Sequence, residues 1–133
     1  MLVVDSSVWI DYFNGVQRAA ADDLDRLLDQ GEVRIVVPDL VLFEVLRGFR
    51  HEQSYRRARL LFDSLSIEPT GGEDLALEAT GHYRELRARG VTVRSPIDVL
   101  VATFCIDRDY ELLHCDRDFD AFERWRGLKV WSH

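Results

Sequence analysis

The chain has 133 residues and 47% of them are hydrophobic, enough for one packed core and too many for a disordered segment. Its 17 basic residues face 24 acidic ones, a formal charge of −7, which argues against a protein that holds nucleic acid by non-specific cationic attraction. That balance leaves room for an enzyme that recruits its own cations.

In chain order, Met1-Leu2-Val3-Val4 runs without alternation into Asp5. It reads as a strand buried on both faces, at the centre of a parallel sheet. Asp5 then falls at the strand's carboxyl end, the edge where open α/β sheets bind ligands. Ser6 or Ser7 can cap the helix that follows, expected over 8–13 with Trp9, Tyr12 and Phe13 packed into the core. Asn14-Gly15 breaks it, and a second helix is expected over 19–29 with Leu24, Leu27 and Leu28 on its apolar face. A second strand is expected over 33–37. Pro38-Asp39 opens a third helix running through Leu40, Val41, Phe43, Val45 and Leu46, with Glu44 in the middle of that apolar run.

Arg47, Arg50, Arg56, Arg57 and Arg59 follow on this helix and the next, with the break near Gly48 and His51-Glu52. They read as a solvated face paired with Glu52 and Asp63, in preference to a basic rim that steers phosphate. A short strand is expected over 65–67, a loop at Thr70-Gly71-Gly72, and a charged helix over 75–89 ended by Gly90. Ser95-Pro96-Ile97-Asp98 is a helix start with Ser95 as N-cap, Pro96 at N1 and Asp98 at N3. The helix that follows is apolar nearly all round, so it should be central and buried. Residues 111–113 read as a strand, with His114-Cys115-Asp116-Arg117-Asp118-Phe119 at its carboxyl end, and 128–131 as the last strand. Alternating strands and helices predict an α/β fold with a central parallel sheet flanked by helices, in a single domain over 1–133.

Cys105 and Cys115 are too few for a disulfide framework, and no C-x-x-C pair is present, so a reduced, cytoplasmic compartment is expected. Asp5 interrupts any signal-peptide run, and the apolar stretch 99–106 is too short to span a bilayer, so no membrane partner is expected.

Four acids carry the functional reading. Asp5 ends the first strand, Glu44 lies in an apolar helix where an unpaired charge is costly, Asp98 opens a buried helix, and Asp116 ends a late strand with Asp118 two residues on. Singly each has a plain role: a cap, a partner for Arg47 or Arg50, a dipole charge, a turn residue. Jointly, carboxylates gathered at one sheet edge repel unless protonated or met by metal, and an all-oxygen donor set selects Mg²⁺ or Mn²⁺ over Zn²⁺.

The motifs Val3-Val4-Asp5-Ser6-Ser7-Val8, Leu42-Phe43-Glu44-Val45, Pro96-Ile97-Asp98-Val99-Leu100-Val101-Ala102 and Leu112-Leu113-His114-Cys115-Asp116-Arg117-Asp118-Phe119 occur in that order. With them the chain resembles the PIN domains, and among these the VapC ribonuclease toxins of toxin–antitoxin pairs. The resemblance implies a PIN fold and Mg²⁺- or Mn²⁺-dependent cleavage of RNA leaving 5′-phosphate and 3′-hydroxyl ends. It also implies a homodimer and a VapB-like antitoxin with a basic tail. It places the catalytic, metal-holding quartet at Asp5, Glu44, Asp98 and Asp116, with Asp118 as a further ligand and Ser7 supporting Asp5. His114 stands where the family usually has Thr or Ser, and it reads as a packing or supporting residue. Two other readings are a haloacid-dehalogenase-type phosphotransferase, disfavoured by Ser7 where that class has a second Asp, and an inactive PIN-like module that binds RNA or protein.

Overall fold

The computed structural model describes residues 1–132. Strands β1 (Leu2–Val4), β2 (Ile35–Pro38), β3 (Ser66–Glu68), β4 (Glu111–Leu113) and β5 (Lys129–Val130) form one sheet in the order β3-β2-β1-β4-β5. Every pairing is parallel. Helices α1 (Ser6–Phe13), α2 (Ala19–Gln30), α3 (Asp39–Leu46), α4 (Glu52–Asp63), α5 (Glu73–Ala88), α6 (Pro96–Arg108) and α7 (Asp120–Arg126) connect the strands and flank the sheet. No helix among the described residues is long and apolar enough to cross a membrane.

The unbroken apolar run of β1 is satisfied by its central place. Leu2, Val3 and Val4 have no exposed surface, and neither do Leu112 and Leu113 of the neighbouring β4. Against this layer α1 drives Trp9, stacked on Phe13 at 5.9 Å and edge-on to Phe62 of α4 at 4.8 Å. Rings at these distances add to the apolar area they remove from water. Helix α6 begins as the sequence predicts, with Ser95 as N-cap and Pro96 in the first turn, and buries Val99 and the run from Val101 to Cys105.

Several expectations shift. The second strand begins at Ile35 rather than Val33 and takes in Pro38, and α3 begins at Asp39. The cap of α1 is Asp5, whose side chain accepts from the Ser7 N–H, instead of Ser6 or Ser7. The hydroxyls are drawn away by stronger partners, since each bonds a carboxylate. Phe43 is 59% exposed, so the apolar run of α3 is wider than the face it buries. A 3₁₀ turn (Arg117–Phe119) and α7 follow β4, neither of them foreseen; Phe119 and Phe122 anchor them in the core. The arginines of α4 match the plain reading, with Arg56 to Glu52 at 3.2 Å and Arg59 to Asp63 at 3.5 Å, four residues apart and exposed. Such exposed pairs contribute little to stability.

The topology fixes where a site belongs. From β1 the chain builds β2 and β3 on one side, then returns through α6 to build β4 and β5 on the other. The switch point lies between β1 and β4, and the crevice outside their carboxyl ends is the ligand position of an open parallel sheet.

Candidate active site

Asp5 and Asp116 follow the carboxyl ends of β1 and β4, one on each side of that crevice. The Asp5 N–H donates to the Leu113 carbonyl at 2.9 Å, which extends the β1–β4 ladder to the site itself. The Asp5 side chain is 3% exposed. Its Oδ2 accepts from the Ser7 hydroxyl at 2.5 Å and from the Ser7 N–H at 3.3 Å. Its Oδ1 is buried with no hydrogen-bond donor among the described residues. Burial pushes the Asp5 carboxyl above its ordinary range, and the Ser7 hydrogen bonds pull the other way.

Glu44 comes from α3, the helix after β2, and its Oε1 accepts from the Ser6 hydroxyl at 2.6 Å. This bond settles the charge in the apolar run in place of the Arg47 or Arg50 pairing that the spacing allows. Asp98 sits in the first turn of α6, its N–H on the Ser95 hydroxyl at 3.4 Å. Its carboxyl is pushed up to about 7, first by burial and then by Asp5, Asp116, Glu44 and Asp118. Asp98 therefore sits in the negative field of the other four carboxylates. Asp116 caps the 3₁₀ turn, its Oδ1 accepting from the Asp118 N–H at 2.9 Å. Carboxylate oxygens of Asp98, Asp116 and Asp118 lie within 4.8 Å of one another.

The local hydrogen bonds of these acids leave oxygens uncommitted. Asp5, Glu44 and Asp116 each commit one oxygen to fixing local structure. Among the described residues the second oxygen of each makes no hydrogen bond, so it is held in place and left for a ligand. A buried oxygen such as Asp5 Oδ1 costs free energy unless something meets it, and a cation does so while relieving the repulsion that lifts Asp98. The residues therefore fit a divalent metal. Asp118 stands closer to Asp98 and Asp116 than the spacing alone conveys, because the 3₁₀ turn folds it back.

His114 is 8% exposed and packs on Phe119 with ring centres 4.9 Å apart. Its Nδ1 accepts from the Asp116 N–H at 3.1 Å, so the neutral ring carries its proton on Nε2. It orients the Asp116 backbone, a task a hydroxyl can also perform. Two neighbours escaped the sequence reading. Ser6, read only as a cap, grips Glu44. Cys115 lies with its sulfur 3.7 Å from the Ser7 hydroxyl. Adjacency to Asp5 and Asp116 was the available signal for both.

Comparison with known proteins shows the family. The PIN-domain family profile matches residues 2–124. A VapC ribonuclease of Mycobacterium bovis and ribonuclease VapC11 of Mycobacterium tuberculosis are each 32% identical over 135 residues, covering 99% of this chain and 98% of theirs. Among solved structures, VapBC2 of Rickettsia felis bound to a promoter DNA fragment superposes with a TM-score of 0.76 at 18% identity, covering 98% of both chains. VapBC-1 of nontypeable Haemophilus influenzae gives 0.71 at 18% identity, covering 98% of this chain and 96% of its own. At that identity the structures speak for the fold, and the mycobacterial relatives speak for the family. With a parallel sheet that gathers five carboxylates at its switch point, the chain belongs to the PIN-domain family and, within it, to the VapC ribonucleases.

Proposed function

We propose that this single PIN domain, over 1–133, is the toxin of a VapBC-type pair, and that it hydrolyses RNA with Mg²⁺ or Mn²⁺ held by Asp5, Asp98 and Asp116, with Asp118 as a further ligand. The observation that carries the proposal is the gathering of the acids: carboxylate oxygens of Asp98, Asp116 and Asp118 lie within 4.8 Å of one another, and Asp5 Oδ1 is buried with no donor among the described residues. A divalent cation bound there supplies acidity to a water and charge to a phosphate oxygen. The chain's own residues do the remaining work. Ser7 keeps Asp5 in one rotamer. Ser6 holds Glu44 by one oxygen, leaving the other to orient the attacking water and accept its proton. His114 and the 3₁₀ turn fix Asp116 and Asp118. A water attacking the phosphorus in line leaves a 5′-phosphate and a 3′-hydroxyl and makes no use of the RNA 2′-hydroxyl.

The structural relatives are VapBC complexes. They support a VapB-type antitoxin as partner, whose basic tail places an Arg or Lys among Asp5, Glu44, Asp98 and Asp116, since an Arg fork suits paired carboxylates. A cytoplasmic homodimer completes the reading.

Asp98→Asn tests it. If Asp98 only favours the start of α6, the change costs about 0.3–1 kcal/mol of stability and spares activity. If it holds the cation, RNA cleavage falls by orders of magnitude while the fold is kept. The assay is cleavage of RNA with Mg²⁺ or Mn²⁺, with EDTA as control. Full activity in Asp98→Asn, or cleavage that survives EDTA, overturns the proposal.

A further inference from the structure

An open cleft of about 680 Å³ adjoins the acidic cluster, lined by Ser7, Cys115, Asp116 and Asp118 together with Arg18, Arg94 and Arg117. Three elements bring the guanidinia there. Arg18 is the N-cap residue of α2, Arg94 stands just before the Ser95 cap of α6, and Arg117 lies in the 3₁₀ turn between Asp116 and Asp118. Arg18 is tied to Asp11 at 3.2 Å. Arg94 and Arg117 are exposed, and neither has an ion-pair partner among the described residues. In a chain of net charge −7, with 24 acidic residues, these two uncommitted guanidinia line a cleft that also holds Asp116 and Asp118. Their cost in the free protein is low because they stay hydrated, and so is their structural contribution.

A nuclease with an acidic centre faces an electrostatic problem at its substrate. The cation offsets part of the repulsion at the scissile phosphate, but the flanking phosphates still meet a negative protein. Planar guanidinia answer this with bidentate hydrogen bonds to phosphate oxygens, and they read charge and geometry without reading bases. The geometry points to Arg94 and Arg117 as the phosphate grip of the ribonuclease, positioning residues that hold the RNA backbone in the cleft beside the bond to be cut. The inference rests on the ribonuclease reading and deepens it, by placing the basic rim at this cleft and not on the arginine-rich face of α3 and α4. Arg18 serves as a third, weaker contact, since Asp11 competes for it.

The test uses Arg94→Gln, Arg117→Gln and the double variant, with Arg34→Gln as control. Arg34 precedes β2 at the amino edge of the sheet, opposite the site, where its Nε donates to the Ser66 hydroxyl. Binding of a fluorescein-labelled, single-stranded RNA of mixed sequence is read by anisotropy from about 50 to 200 mM salt, in an Asp5→Asn background that keeps the strand intact. Each single variant is expected to raise Kd about tenfold and to lower the salt slope by about 0.7. The double variant loses roughly the product of the two, and Arg34→Gln stays within about twofold of its parent. Arg→Lys at either position restores the slope and only part of the affinity, because the charge returns without the fork. In the cleavage-competent chain the same Gln variants raise KM and leave kcat nearly unchanged.

Parent-like Kd and salt slope in the double variant overturn the grip, even where cleavage by the parent upholds the ribonuclease. So does a parent that binds no RNA, and so does a fall in kcat with KM unchanged. If the parent binds RNA, the Gln variants release it, and no chain cleaves in the presence of cation, the ribonuclease reading fails and the grip stands.

Discussion

At the scale of single residues, the acids explain why the free protein should resist its own folding. Asp98 has a folded pKa of about 7 against an ordinary 3.8, and Asp5 is raised by burial as well. Between those pH values the folded chain binds more protons at these carboxyls than the unfolded chain does. Their contribution to stability is therefore present at low pH and lost as pH rises through the folded pKa. His82 and His114, both held below their ordinary range by burial, tilt the profile the other way and do so equally in parent and variant. The informative quantity is thus the difference between chains. In EDTA, the stability of Asp98→Asn over its parent should grow as pH rises from about 5 to about 7.5, and saturating Mg²⁺ should shrink it. Urea unfolding at several pH values measures this, and a difference that is flat or shrinks with pH removes the account. At this scale the sequence was informative about identity and silent about contact. The positions of Asp5, Glu44, Asp98 and Asp116 followed from where each falls in its element. That Ser6 would hold Glu44, 38 residues away, required the packing of α1 beside α3.

At the scale of elements, the start of α6 was legible because every signal in it is local. Ser95, Pro96 and Asp98 satisfy cap, φ angle and dipole within four residues. The same cap presents Asp98, since the N–H that Ser95 holds belongs to that residue. Ser95→Ala should cost about 0.5–1 kcal/mol, the lower end of the capping range because the bond is long at 3.4 Å. It should also reduce cleavage more than that stability loss explains. A thermal melt set beside an activity assay reads both, and full cleavage with a lowered melting temperature means the cap acts on stability alone. Helix α7 was missed for the opposite reason. Its seven residues carry little periodicity, and what defines it is the insertion of Phe119 and Phe122 into a core whose other side is β4 and α6. The edges of β2 moved because Val33 is apolar but lies before the ladder that Leu2 and Val3 make with Ile35 and Val36.

For the whole molecule, α/β class and a parallel sheet were readable from alternation, while the order β3-β2-β1-β4-β5 was not. Strand order depends on which crossover goes to which side, and strands of two to four residues carry no sequence mark of their neighbours. Assembly is of the same kind. The homodimer rests on the family, and sedimentation velocity at micromolar concentration should give a particle of twice the 15.4 kDa of one chain. A monomer alone under those conditions counts against it. The central position of β1 has one more consequence, concerning when a cell first meets the enzyme. Asp5 leaves the ribosome well ahead of its partner strand, Glu111–Leu113, and of the carboxylates at Asp116 and Asp118. Translation at about 5–20 residues per second separates them by seconds. Throughout that interval the nascent chain carries an incomplete carboxylate cluster, so an antitoxin already present has time to be waiting. The carboxylate cluster closes only once β4 and the 3₁₀ turn have been made.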